Sequence, residues 1–434
     1  MRDNTMRPPR LPNPPLLSTG PFEHATRTLA PGDIAATAEQ REAYLRYTHL
    51  GDPAADEVVA MFARLPTGQG RALFERALEE GIEALPEPPP ELTALFEQVR
   101  MPYWVDTDRL DHACRVIART GPLAYTSLSM LALLGGYLAS RVTKTLTSTG
   151  TLQRMAPRRL AETGIWFSEV TAAGGLERFA PGWKNTLRVR IRHATVRAGL
   201  SRRPDWEFEE WDHPINQSQQ CGTVLIFAMA FITGSQAGGI HFSHNERDAV
   251  YHMWRYIGFL LGTDPVLLFT DEHDAWRLFW LQADYEFRRP DHDSRNLAAA
   301  LIAAIGPLLV GDGRDLASRV GRSTVTEFMS AYARLVLGKD NADFLGLSDR
   351  KLFQHITVGA AKAVAALEYP RRVVPGATGC AERLGRRASL ALTHRMATRQ
   401  APTSPRVLGG ASDPFSSNIG KDKETPRCAR NVSP

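Results

Sequence analysis

Apolar positions along the chain recur at helical spacing. AADEVVAMFARL (54–65), GRALFERALEEGIEAL (70–85) and ELTALFEQV (91–99) each repeat apolar residues at i, i+3 and i+4. That is the pattern of helices burying one face. PEPPPE (86–91) stops one helix and starts the next. DTDRLDHACRVIART (106–120) opens with capping residues. PLAYTSLSMLALLGGYLAS (122–140) is apolar nearly all round, which predicts a buried helix. APRRLAETGIWFSEV (156–170) predicts a helix with Pro157 in its first turn. In WDHPINQ (211–217), Asp212 or His213 before Pro214 marks another helix start. NERDAVYHMWRYIGFLLG (245–262) reads as a helix capped by Asn245 and closed by Gly262. VLIFAMAFI (224–232) and LAAALIAAIGPLLV (297–310) are too short, or too interrupted by Gly-Pro, to predict a transmembrane segment. They read as core helices. No regular strand alternation, internal repeat, Gly-rich dinucleotide motif or P-loop is present. The pattern predicts an all-α protein with one folded domain over 36–369. A proline-rich segment, 1–35, precedes it and a basic disordered tail, 370–434, follows.

Composition narrows the class. With 434 residues, 43% of them hydrophobic, the chain has material for a large core. The net charge of +5 is unevenly spread. Residues 371–434 hold 12 Lys+Arg against 4 Asp+Glu, a net +8, so the rest of the chain carries −3. The basic balance belongs to the tail, and the folded part offers no nucleic-acid footprint. Cys114, Cys221, Cys380 and Cys428 form no C-x-x-C pair, which argues against a disulfide framework or a cysteine zinc site and suits a reducing compartment. The N-terminus has no apolar core of a secretory signal and no adjacent arginines, so the expected location is cytoplasmic.

Several residues are candidates for chemistry. His193 lies in LRVRIRHATVRAGL (187–200). On a helix it has Thr186, Arg190 and Arg197 to one side and Val189, Val196 and Leu200 to the other. Taken alone, such a histidine is read as bonding to a carbonyl. Arg159 and Thr163 are four apart and share a helix face, with Glu162 beside them. Their plain reading is a surface Glu–Arg pair. The polar WDHPINQ reads as a structural helix start more readily than as a cofactor contact. HFSHNERD (241–248) gathers His241, His244, Glu246 and Asp248, with His252 further on. It lacks H-E-x-x-H and reads better as a helix entry than as a metal site. Trp276 and Trp280 read as core packing, or as the wall of an apolar tunnel. No G-x-S-x-G nucleophile elbow occurs.

The order RRLAETG (158–164), His193 thirty positions after Thr163, WDHPINQSQQCGT (211–223) and YHMWRYIGFLLGTDP (251–265) resembles the rubber oxygenases. These are also called latex clearing proteins, and their family includes the oxygenase of the mycophenolic acid pathway. The similarity spans roughly residues 90–290. It implies a mostly α-helical fold with a globin-like core and additional helices, and a b-type haem held through one histidine. His193 would then ligate the iron, Arg190 and Arg197 would meet the haem propionates, and Arg159 and Thr163 would line the oxygen side. The family's rubber cleavers carry a lysine where this chain has Glu162, and a glutamate further upstream. Here no glutamate occurs from Gln98 to Ala161, and Glu162 is the candidate to replace that base. The expected activity is haem-dependent oxygenation, by dioxygen, of a small apolar unsaturated substrate of isoprenoid or lipid type. A haem carrier or a gas or redox sensor is the alternative, and a cofactor-free lipid-binding helical protein a third.

Overall fold

The computed structural model describes residues 36–148, 152–287 and 290–400, and among them there are helices but no strand. The proline-rich segment 1–35 and the stretch 401–434 lie outside the described residues. The all-α expectation holds.

Polar caps set the helix starts. The N-terminal part contains α1 (Ala38–Leu45), α2 (Pro53–Arg64), α3 (Gln69–Glu80) and α4 (Pro90–Gln98). Thr37 and Gln40 form a reciprocal capping box on α1, and Asp52 caps α2 just before Pro53. α5 (Thr107–Thr120) is capped by Asp106. The apolar run that follows is α6 (Pro122–Gly136), which widens to a π-helix over Leu128–Leu133. After a bend of 96° comes α7 (Ser140–Thr147).

α8 (Leu152–Val170) starts before the position expected from sequence, so Pro157 sits inside the helix. α9 (Pro181–Leu200) carries His193. A single turn, α10 (Phe208–Trp211), leads into α11 (Gln217–Ala237), the central helix, capped by Asn216. α12 (His244–Leu260) is capped by Ser243 with Glu246, rather than by Asn245. Next come α13 (Glu272–Glu286), α14 (His292–Val310), α15 (Leu316–Leu337) and the short α16 (Lys339–Phe344).

The chain continues as α17 (Lys351–Val373) and α18 (Ala377–Gln400). This corrects the expectation of a disordered tail from 370. α18 packs along α5 and α8, where Gly121 and Gly385 let two backbones approach closely. Five of the twelve basic residues of 371–434 lie on this docked helix, and the part of the expected tail from 401 lies outside the described residues.

α11 is buried along most of its length and packs against α6, α12 and α13. By length and apolarity α11 and α14 each suffice to cross a membrane; in this fold 72% and 44% of their apolar windows are buried. Trp166, Phe167, Phe227 and Trp254 form one aromatic cluster joining α8, α11 and α12. It braces α8 against the central helix and fixes the walls of the candidate site.

Candidate functional site around His193

The helix bearing His193 is held by ion pairs on one side. Arg190 donates from Nε and Nη2 to both oxygens of Asp52, at 2.7 and 2.8 Å, and from Nη2 to Gln98 at 2.6 Å. Arg197 makes a forked contact with Asp56, at 2.7 to 3.1 Å, and donates to the Ile215 carbonyl at 2.8 Å. Both guanidiniums are buried. Arg190 and Arg197, expected to meet haem propionates, are here each paired with a carboxylate of the chain. Each is committed to a carboxylate of the α2 region, and a bidentate pair of this kind leaves little capacity for a second anion.

The same junction explains two sequence blocks. Gln217 donates from Nε2 to the carbonyls of Gly51 and Gly262, both at 2.9 Å, and accepts from the Asp264 amide at 2.8 Å. Gly262 has φ +81°, and a Cβ there would lie 2.4 Å from both Arg190 Nε and Asp52 Oδ2. WDHPINQ and LLGTDP thus meet at the Asp52–Arg190 pair as structural elements, and Asn216 is a helix cap. Asp212 and Ile215 adopt positive φ, at 59° and 49°. Asp212 is held there by Arg141 at 2.6 Å and the Tyr285 hydroxyl at 2.9 Å. Beyond it, Glu286 is buried with neither carboxyl oxygen partnered, and burial pushes its pKa up to about 8.

His193 is different. Burial pushes its imidazole down to about 4, and the Arg197 charge acts in the same direction. The ring is neutral at physiological pH. The Gln220 side chain acts weakly in the opposite direction, and it donates to the Leu261 carbonyl. Nδ1 of His193 has no partner. A neutral imidazole is the protonation state that an axial metal ligand requires. Gln220 is a residue the sequence reading missed. Its signal was there: QSQQ (217–220) places three glutamines at the head of an otherwise apolar helix.

Four helices close a ring beside His193. Gln220 of α11 reaches His193 of α9. Arg192 of α9 reaches Glu162 of α8 at 3.4 Å. Arg159 of α8 interacts with Tyr137, at the end of α6. Gly136 of α6 faces Ile226 of α11, whose Cδ1 would lie 3.8 Å from an added Cβ. Thr223 is exposed in the middle of the buried α11, one turn from Gln220. Arg159 is exposed as well, yet desolvation pulls its guanidinium below its usual range. Arg159 forms no hydrogen bond or ion pair with another described residue.

Thr163 lies one turn along from Arg159 and lines an apolar chamber of about 140 Å³ with Leu133, Phe167, Phe227, Leu308 and Met396. The π-helical stretch of α6 supplies part of the wall, through Leu128, Ser129 and Leu133. Glu162 is placed elsewhere. It accepts from Arg158 at 2.8 Å and Arg192 at 3.4 Å, and its side chain is 40% exposed. The expectation that it faces the reacting centre as a base is corrected. Glu162 here belongs to a surface ion-pair cluster.

The HFSHNERD residues also have structural partners. Glu246 closes the α12 capping box and pairs with Arg119, and Asp248 pairs with Arg109. His252 Nε2 accepts from the Asp106 amide at 3.0 Å. Trp276 is buried in the core and Trp280 packs against it, partly buried. Among the described residues no group of three or more His, Cys, Asp or Glu side chains gathers as a metal site.

The fold and site therefore define an all-α protein with a neutral, half-buried histidine on Pro181–Leu200 and an apolar chamber lined by Thr163. The sequence matches the family model described as ER-bound oxygenase mpaB/B'/rubber oxygenase, catalytic domain, over residues 115–366. The chain belongs to this family. The solved structure described as latex clearing protein LCP in the closed state is similar in fold, with a TM-score of 0.56 and 20% identity, covering 79% of this chain and 91% of that one. No protein of curated function matches.

Proposed function

We propose that this protein is a haem b-dependent oxygenase acting with dioxygen on a small, apolar, unsaturated substrate of isoprenoid or lipid type. The observation that carries the reading is the unpartnered ring nitrogen of His193, neutral and buried, in a chain of an oxygenase family. A buried polar atom without a partner costs about 1–3 kcal/mol, and ligation of a metal removes that cost. The residues around it fit the group. Val189, Val196, Gly136 and Ile226 are apolar or small and remain partly accessible, as the faces of a flat macrocycle require. When bound, the haem supplies iron-centred activation of oxygen.

The chain's own residues supply the rest. Gln220 lies beside the His193 ring. Arg159, cationic and without an ion-pair partner, offers donors to an anionic or oxygen ligand. Thr163 presents a hydroxyl at the chamber wall, and the chamber's aliphatic and aromatic walls exclude water from an apolar chain. A designed cavity of about 150 Å³ accommodates benzene, so the chamber is the size of a five- or six-carbon unit rather than of a long chain.

The test is the colour and oxygen uptake of protein expressed with haem supply. The wild type is expected to show a Soret band that His193→Ala loses, and to consume oxygen with short isoprenoid alkenes. Colourless wild-type protein would falsify the proposal. A red protein that consumes no oxygen with any alkene points instead to the haem carrier or sensor.

A further inference from the structure

One wall of the Thr163 chamber comes from the last described helix. Leu392 and Met396, one turn apart on α18, line it together with residues of α6, α8, α11, α14 and α15. The family match ends at residue 366 and α18 begins at Ala377. This wall is therefore supplied from outside the matched domain.

α18 is fixed at two points. Gly385 lies against α5, where an added Cβ would stand 2.1 Å from the Ala118 carbonyl oxygen. Near the helix end, Arg399 donates to the carbonyls of Leu308 and Val310 in the last turn of α14, both at 2.8 Å. Carbonyls at a helix C-terminus lack intrahelical partners, so a guanidinium there satisfies them. Between these points Gly385, Ser389, Leu392 and Met396 recur at helical spacing and share the inward face. The position of Met396 is thus set by the docking of the whole helix.

Met396 is buried, and its side chain reaches α8 at Gly164. A Cβ on Gly164 would lie 2.7 Å from Met396 Cε and 3.5 Å from Sδ, with Tyr125 Cδ1 next at 3.9 Å. A glycine inside a helix is less stable than an alanine. Here the space it leaves is taken by the thioether tip. Both residues line the chamber, so their contact closes it between α8 and α18. An unbranched, flexible methionine suits such a gap, and truncating it would leave a void continuous with the chamber.

We propose that Met396, seated over Gly164, sets the upper size of the apolar ligand that the chamber admits, at about that of benzene or a single isoprene unit. The proposal deepens the oxygenase reading and rests on it for the word substrate. The size limit itself is a binding property and needs neither haem nor turnover.

The full-length protein is titrated with benzene and with naphthalene by calorimetry. The wild type is expected to bind benzene and to show no heat with naphthalene. Met396→Ala should raise naphthalene affinity at least about tenfold and leave benzene within about threefold. Gly164→Ala puts a methyl against the Met396 tip. It should weaken benzene at least about tenfold, and adding Met396→Ala should restore it. Should Met396→Ala fail to fold, Met396→Leu keeps the volume but not the reach, and should raise naphthalene affinity about threefold. Leu78→Ala truncates a buried leucine of α3 away from the chamber and should gain no naphthalene binding. Wild-type protein that binds naphthalene as tightly as benzene, or binds neither, would overturn the proposal. So would Met396 variants that bind like wild type, or a Leu78→Ala gain equal to that of Met396→Ala. If these differences hold while no alkene supports oxygen uptake, the size limit stands and the oxygenase reading falls.

Discussion

The two sides of the His193 helix are built on opposite principles. On one side, Arg190 and Arg197 are buried in forked pairs with Asp52 and Asp56, and neighbouring Gln217 meets three backbone groups from two separate loops. On the other, His193 has an unpartnered Nδ1 and Arg159 is exposed without a direct ion pair among the described residues. Both sides spend desolvation energy on polar groups. The first recovers it inside the protein, and the second does so only when something else binds. Arg190 keeps one unpartnered nitrogen of its own, so what distinguishes the sides is the forked carboxylate pairing of the arginines. The contrast separates His193 from the arginines that flank it in sequence, though helical geometry alone groups them.

The largest effect tests the architectural side. Asp52→Ala leaves the Arg190 guanidinium buried without its main counter-ion and also removes the cap of α2. Losing one partner of such a pair costs about 3–5 kcal/mol. Chemical denaturation should show that loss in the midpoint, while the folded fraction keeps its Soret band. If the Soret band disappears from fully folded protein, Arg190 belongs to the cofactor site after all.

A second effect, on the order of 3 kcal/mol, comes from the site side and depends on pH. His193 has an ordinary pKa of 6.5 and a folded value of about 4. The unfolded chain therefore binds a proton that the folded chain refuses. The contribution to stability is complete above pH 6.5 and is lost as pH falls towards 4. The fall in stability of the apoprotein from pH 7 to 4, sampled in steps of about 0.5 pH unit, should be less steep in His193→Leu than in the wild type. Equal slopes would mean that the ring is not desolvated, and the site would lose its defining property.

Gly262→Ala sharpens the comparison at one backbone position. Its positive φ and the closeness of Asp52 and Arg190 both oppose a side chain. The expected loss is about 2 kcal/mol or more, read from the thermal midpoint, with the histidine side unaltered. A neutral outcome would show the junction to be loose.

The helices and their order were legible in the sequence because amphipathic spacing, proline and polar caps act locally. His193, Arg159 and Thr163 were named in the sequence only through resemblance, and of the three the structure sets Thr163 at the chamber wall. What sequence could not show was which partner each charge takes. Asp52 is 138 residues from Arg190, and helical spacing contains nothing about that pairing. The same blindness made α18 look like a tail. Its arginines read as solvated, yet Arg399 donates to the carbonyls of Leu308 and Val310, both at 2.8 Å, and Met396 closes the chamber. Helix starts at Leu152 and His244 were misplaced by a few residues, because Pro157 is tolerated inside α8 and Ser243 competes with Asn245 as the cap.

The smallest predicted effect is the one that most directly tests how residues were carried over from the family pattern. Glu162 stands where the rubber cleavers have a lysine, and position alone assigns it to the reacting centre. Its geometry assigns it to Arg158 and Arg192, both of which are largely exposed. Exposed pairs contribute about 0–1 kcal/mol, so Glu162→Gln should move the thermal midpoint by a degree or two at most. Oxygen consumption should be unchanged in both rate and pH profile. If the variant instead loses turnover with its Soret band intact, the carboxylate reaches the centre during the reaction, and the division between partnered and unpartnered groups fails at that residue. The neighbouring Thr163→Ala gives the control: it leaves the ion pairs alone, alters the chamber wall, and should change activity where Glu162→Gln does not.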